Sequence, residues 1–191
     1  RFHGGSDGAP MVRPYAYEDV INAMNDVQPR AWRRFFDERL ESVGAHAPLG
    51  GVEASGWTLG WTDTLSAYLK IIEDKGKRTE MQYSIGLLLK DDATVIDLVP
   101  GSAADKAGMT PGMKVLAVNG RKYSPKVLRA AVRAAKGRTA PIEIIVEHTD
   151  YFRTFKLDYH EGEKYPALVR QAGKPDLLGA TQEHKIKPKK F

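Results

Sequence analysis

The chain has 191 residues, 42% of them hydrophobic, a formal charge of +5 and no cysteine, so disulfides, thiolate zinc sites and cysteine nucleophiles are excluded. Its length accommodates one large domain or a small domain with an accessory region, and no apolar run approaches the roughly 18 residues of a membrane-spanning helix. Residues 170–191 supply +4 of the charge; the rest is nearly neutral, and no basic face interleaved with aromatics marks a nucleic-acid partner.

Residues 1–14 run through Gly, Ser, Asp and Pro and read as an irregular loop. A natural domain seldom opens in this way, so the chain is expected to be cut from a longer one. At 17–25, Val20, Ile21 and Met24 recur at helical spacing, with Glu18 and Asp19 where the helix dipole favours negative charge. A second helix is expected over 29–43, with Pro29 in its first turn and Trp32, Phe35, Phe36 and Leu40 along one side as packing residues. Residues 44–56 form a Gly-, Ala- and Pro-rich link to a strand at 57–61. A further strand is expected at 68–72, and a charged turn at 73–78 leads to the next domain.

Beyond that turn the pattern is dense in strands, at 85–89, 94–99, 114–118, 142–147 and 154–159. Two helices interrupt them. One spans 103–107, capped by Ser102 and closed by Gly108; the other spans 125–135, with Ser124 as cap, Pro125 in the first turn and Gly137 at the end.

Within this pattern lies the run Val99-Pro100-Gly101-Ser102-Ala103-Ala104-Asp105-Lys106-Ala107-Gly108-Met109. It is followed by Pro111-Gly112-Met113-Lys114-Val115-Leu116-Ala117-Val118-Asn119-Gly120. This resembles the signature of bacterial PDZ domains, with Lys114 where many members carry Asp. The resemblance implies an α+β chain: a PDZ-type small β-barrel or sandwich with two helices at 78–162, a mainly helical accessory region with short strands at 1–77, and a C-terminal extension with a basic tail at 163–191.

A PDZ domain adds a peptide strand to a sheet edge beside a helix, and its backbone amides hold the terminal carboxylate. Ile85-Gly86-Leu87 matches the apolar-Gly-apolar carboxylate loop, where only Gly lets the backbone approach an anion closely, and Ser84 before it is a further candidate binding residue. Leu87, Leu88 and Leu89 are the expected peptide-receiving strand, and Leu128 and Val132, one helical turn apart, the expected opposite wall. The same residues also fit an ordinary core behind a closed groove.

Further matches run upstream: Pro14-Tyr15, Tyr17-Glu18-Asp19-Val20, Trp32 with Phe36, Arg39-Leu40, Gly56-Trp57 and Thr62-Asp63-Thr64. With the PDZ signature they resemble the C-terminal part of the glycyl aminopeptidase family, zinc metallopeptidases with a thermolysin-like catalytic domain. The resemblance implies that zinc belongs to the parent enzyme and that this region holds no cofactor. It implies as partners the catalytic domain of the same polypeptide and the C-termini of peptides or proteins, and a bacterial periplasmic or cell-envelope location.

The His-Glu-x-x-His helix such an enzyme needs is not in this sequence. The nearest approach, His160-Glu161-Gly162-Glu163-Lys164, has Lys at the second ligand position and Gly inside the required helix. The five histidines, His3, His46, His148, His160 and His184, are too scattered to suggest another site. Gly4-Gly5-Ser6-Asp7-Gly8 fits the Gly-x-Ser-x-Gly pattern but lacks the strand and helix that a nucleophile elbow requires. The alternative to a peptidase region is a free-standing PDZ adaptor.

Overall fold

The computed structural model describes residues 14–44 and 47–182. The Gly4-Gly5-Ser6-Asp7-Gly8 motif, His3, His46, His184 and the basic residues beyond 182 lie outside them. The chain divides into two compact units, 1–51 and 52–191; the expected divisions at 77 and 162 fall within the second.

In the first unit, α1 (Tyr17–Val27) starts where the Asp19 carboxylate accepts from the Ala16 N–H at 2.8 Å. The next helix, α2 (Trp32–Leu40), begins three residues later than Pro29 suggests. The intervening reversal has its own bonds: the Asn25 side chain accepts from the Arg30 N–H, and the Gln28 carbonyl accepts from the Trp32 indole at 2.7 Å. Its last expected turn does not form, because Val43 is fully exposed and offers no face to bury. Trp32, Phe35, Phe36 and Tyr17 pack ring on ring at 5.4–6.4 Å, yet no residue of α2 is buried. The stripe is a half-exposed cluster, with Arg39 over the Phe35 ring at 3.6 Å.

The short α3 (Gly50–Ala54) leads to β1 (Trp57–Thr62). Where a strand was expected at 68–72 the chain forms α4 (Ala67–Gly76). Tyr68, Ile71 and Ile72 favour strands on propensity. The Ser66 hydroxyl, however, accepts from the Leu69 N–H at 3.2 Å, and Leu65, Leu69, Ile72 and Glu73 then fall on one half-buried helical face. Lys77, at φ +47°, ends that helix and starts β2 (Arg78–Met81) within the expected charged turn.

The strands β3 (Leu87–Lys90) and β4 (Val95–Leu98) complete a three-stranded antiparallel sheet in the order β2-β3-β4. The sequence signals hold well from here. The Ser102 side chain accepts from the Asp105 N–H to cap α5 (Ala103–Lys106), and β5 (Lys114–Val118) and β6 (Arg121–Lys122) follow. Ser124 caps α6 (Pro125–Ala134) in the same way through the Val127 N–H. The hairpin of β7 (Ile142–His148) and β8 (Tyr151–Leu157) joins a four-stranded sheet ordered β6-β5-β7-β8. Finally β9 (Tyr165–Arg170) returns to pair with β1, from Trp57↔Arg170 to Thr62↔Tyr165, and α7 (Leu177–Gln182) follows.

The architecture is thus helices with antiparallel sheets. Among the described residues the three sheets stay open, so of the two expected forms, small barrel or sandwich, the barrel does not close. Between β4 and β5, among the described residues, the bridge Thr94↔Lys114 and isolated bonds such as Val95 N–H to the Met113 carbonyl stand in place of a continuous ladder. One buried cluster joins the two larger sheets to α6; Ile85, Leu87, Leu89, Leu128, Val132 and Ile144 are each 0% exposed.

Candidate functional site

The candidate loop, 82–86, joins β2 to β3. Gly86 sits at φ +87°, where L side chains are strained, and an added Cβ would run into the Ser102 side chain on the cap of α5. The sequence expectation that this position needs glycine therefore meets two physical reasons. Around it the backbone is tied down: Gly86 accepts from the Val99 N–H at 2.9 Å, and Ile85 accepts from the Ala104 N–H at 3.0 Å. Ser84 is buried, and its hydroxyl accepts from the Lys164 N–H at 3.0 Å.

Of the other candidate residues, Leu87 and Leu89 face the core, and Leu88, half-buried, points to the opposite face. Leu128 and Val132 are both buried on α6, and with Ile85, Leu87 and Leu89 they belong to one apolar cluster. Ser84 and Leu88 stand outside it.

The edges of β3 decide what can add to it. β4 occupies one, in the pairings Leu87↔Leu98 and Leu88↔Asp97. The other, at which an incoming peptide would pair, is taken by β2 in antiparallel register from Arg78↔Lys90 to Met81↔Leu87. Met81 and Thr79 are buried at 1% and 4% exposure, while Arg78 and Glu80, partly buried, alternate with them on the other face. The Met81 carbonyl accepts from the N–H groups of both Ser84 (3.1 Å) and Gly86 (3.0 Å).

An ionic bridge lies beside β2. The Glu73 carboxylate on α4 accepts from the Glu80 N–H at 2.7 Å and also pairs with Arg129 of α6, both side chains little exposed at 11% and 12%. Arg129 in turn donates to the Tyr165 hydroxyl, and Tyr165 donates to Glu163, which Arg133 pairs at 2.8 Å. Burial pushes the Glu163 carboxyl above its ordinary range, against the pull of Arg133 and Arg129. Nearby, burial pushes the Tyr159 hydroxyl up to about 12; it donates to the Gly162 carbonyl at 2.7 Å.

Sequence reasoning missed Thr79, Met81, Glu73 and Arg129. The available signal was the alternation Arg78-Thr79-Glu80-Met81 running straight into the glycine loop, masked by its charges.

The His160-to-Lys164 stretch offers no zinc ligand set: His160 bonds Asp158 at 2.7 Å, and Lys164 pairs with Glu161. Among the described residues no three His, Asp or Glu side chains come together as metal ligands, and no helix is long and apolar enough to cross a membrane.

No family model and no curated protein matches the sequence. Among solved structures, the HtrA3 PDZ domain bound to the phage-derived ligand FGRWV aligns with 62% of this chain and 95% of its own at 16% identity; its TM-score of 0.29 is too low to bear on the fold. The chain is also similar to an aminopeptidase N family protein from Idiomarina loihiensis, at 15% identity and a TM-score of 0.53, with 86% of this chain covered. The chain spans 28% of that protein's length, and the likeness is one of fold.

Proposed function

We propose that this chain is the non-catalytic, PDZ-containing C-terminal region of a zinc metallo-aminopeptidase, which packs on the catalytic domain and binds the C-termini of peptides or proteins. The zinc and its His-Glu-x-x-His helix belong, on this reading, to the catalytic domain. The observation that carries the peptide-binding part is the 82–86 loop, whose Ser84 and Gly86 amides converge on one carbonyl oxygen, that of Met81 at the end of β2. Converging backbone N–H groups are what a terminal carboxylate requires. The fold shared with part of a longer aminopeptidase N family structure supports the rest. An apolar face on the β1–β9 ribbon, with Leu59, Trp61 and Leu168 each 39–53% exposed, gives a docking domain something to cover.

A peptide with a free carboxylate, an apolar last residue and a photoreactive group beside it tests the site. Crosslinks to β3 or α6 that vanish in Gly86→Val are expected; labelling confined to other surfaces contradicts the reading. The chain alone is expected to release no N-terminal residues from peptides, with or without added zinc.

A further inference from the structure

The strand beside β3 has the features of a bound peptide. It runs antiparallel to β3, with its last residue Met81 opposite Leu87 at the loop end. Alternate side chains, Thr79 and Met81, are buried, as they are for a peptide laid on a sheet edge beside a helix. The Met81 carbonyl receives the Ser84 and Gly86 amides, the position a terminal carboxylate oxygen would take. The segment is also held from outside, because Glu73 binds the Glu80 N–H and Arg129 on α6 together.

We propose that Arg78–Met81 is a resident, intramolecular ligand of the groove formed by β3 and α6. Its side chains then describe the external ligand that replaces it: a peptide with a free C-terminal carboxylate, an unbranched apolar last residue such as Met, and a small hydroxyl residue two positions earlier. This rests on the reading of the groove as a peptide site.

The energetics favour exchange over permanent closure. Met81 offers the loop a neutral carbonyl, whereas a terminal carboxylate offers a full charge, and charge-assisted hydrogen bonds are about twice as strong. Against this, the resident strand is covalently attached, with an effective concentration on the order of millimolar for a short tether. A peptide binds only the fraction of molecules in which the strand is away, so a groove open about 1% of the time loses roughly a hundredfold in apparent affinity. The Glu73–Arg129 bridge sets that fraction: while it holds the Glu80 amide, the groove stays occupied. Weak binding by the resting protein and tight binding on release of the bridge are the same property.

The probe is the excised segment itself, the synthetic peptide Lys-Arg-Thr-Glu-Met with a free carboxylate, titrated into the full chain. Wild type is compared with the double variant Glu73→Ala, Arg129→Met, which removes both charges together so that neither is left buried alone, and with Glu80→Pro, which deletes the held N–H. Amide hydrogen exchange across 78–90 reports strand release. At least tenfold tighter binding by the variants is expected, with loss of protection in 78–81 and retention of it in 87–90 once peptide is bound. Equal binding by wild type and variants overturns the proposal while the peptide site stands. Absence of binding in variants whose strand has been released overturns both. Full protection of 78–81 in every variant identifies a permanent hairpin and also overturns it.

Discussion

The two compact units use apolar side chains in opposite ways. In the first, Trp32, Phe35, Phe36 and Tyr17 meet edge to face at the surface, Arg30 and Arg39 lie over the Phe35 ring, and Ile21 is the buried residue of α1. In the second, β3 and α6 are sealed into a common interior with residues at 0% exposure. A sealed interior holds a backbone loop rigidly enough to aim amides, and a surface ring cluster does not; this is why the candidate site belongs to the second unit.

That contrast breaks most visibly at Leu128. Leu128→Ala leaves a cavity in the interior and is expected to cost about 2–5 kcal/mol, measured by urea unfolding followed through β-sheet circular dichroism. Gly86→Val combines a strained positive φ with the collision against Ser102 and is expected to cost at least about 1–3 kcal/mol in the same assay. In the first unit, Phe36→Ala removes edge-to-face contacts from a half-exposed ring, and a loss of about 0.5–1.5 kcal/mol is expected, read from Trp32 fluorescence. A Phe36 effect larger than that of Leu128 would reverse the comparison.

The smallest effect is a pH dependence. The Glu163 carboxyl titrates above its unfolded value of about 4.3, so the folded state holds its proton more tightly. Its contribution to stability is fully present below pH ~4.3 and is lost as pH rises through the raised value. Thermal melts from pH 4 to 7 are therefore expected to fall more steeply with pH in wild type than in Glu163→Gln, in which this titration is absent. Identical slopes would place Glu163 in a more solvated setting than its 6% exposure indicates.

Local chemistry made much of the second unit legible. Ser102 and Ser124 cap the helices that they signal, β5 falls at 114–118 where a strand is expected, and Gly86 takes the positive φ that its place in the loop demands. What failed depended on distant partners. Tyr68, Ile71 and Ile72 carry strand propensity, but the Ser66 cap and one half-buried face make them helix. Pro166 hides β9, since a proline reads as a strand breaker unless the strand has only one neighbour, as β9 has in β1 among the described residues. Most consequential, Arg78-Thr79-Glu80-Met81 reads as charged turn because its status as a strand is conferred by β3 and by Glu73, seven residues before the amide that it holds. The loop could thus be read from its glycine, while the strand paired with β3 beside it could not.

The central claim is that the 82–86 loop recognises a terminal carboxylate. Calorimetric titration of the double variant Glu73→Ala, Arg129→Met with Lys-Arg-Thr-Glu-Met, as free acid and as C-terminal amide, tests it most directly. A hydrogen bond to a charged group contributes about 1.5–3 kcal/mol, so the account predicts that the acid binds at least about tenfold more tightly than the amide. Equal affinities for acid and amide would contradict it.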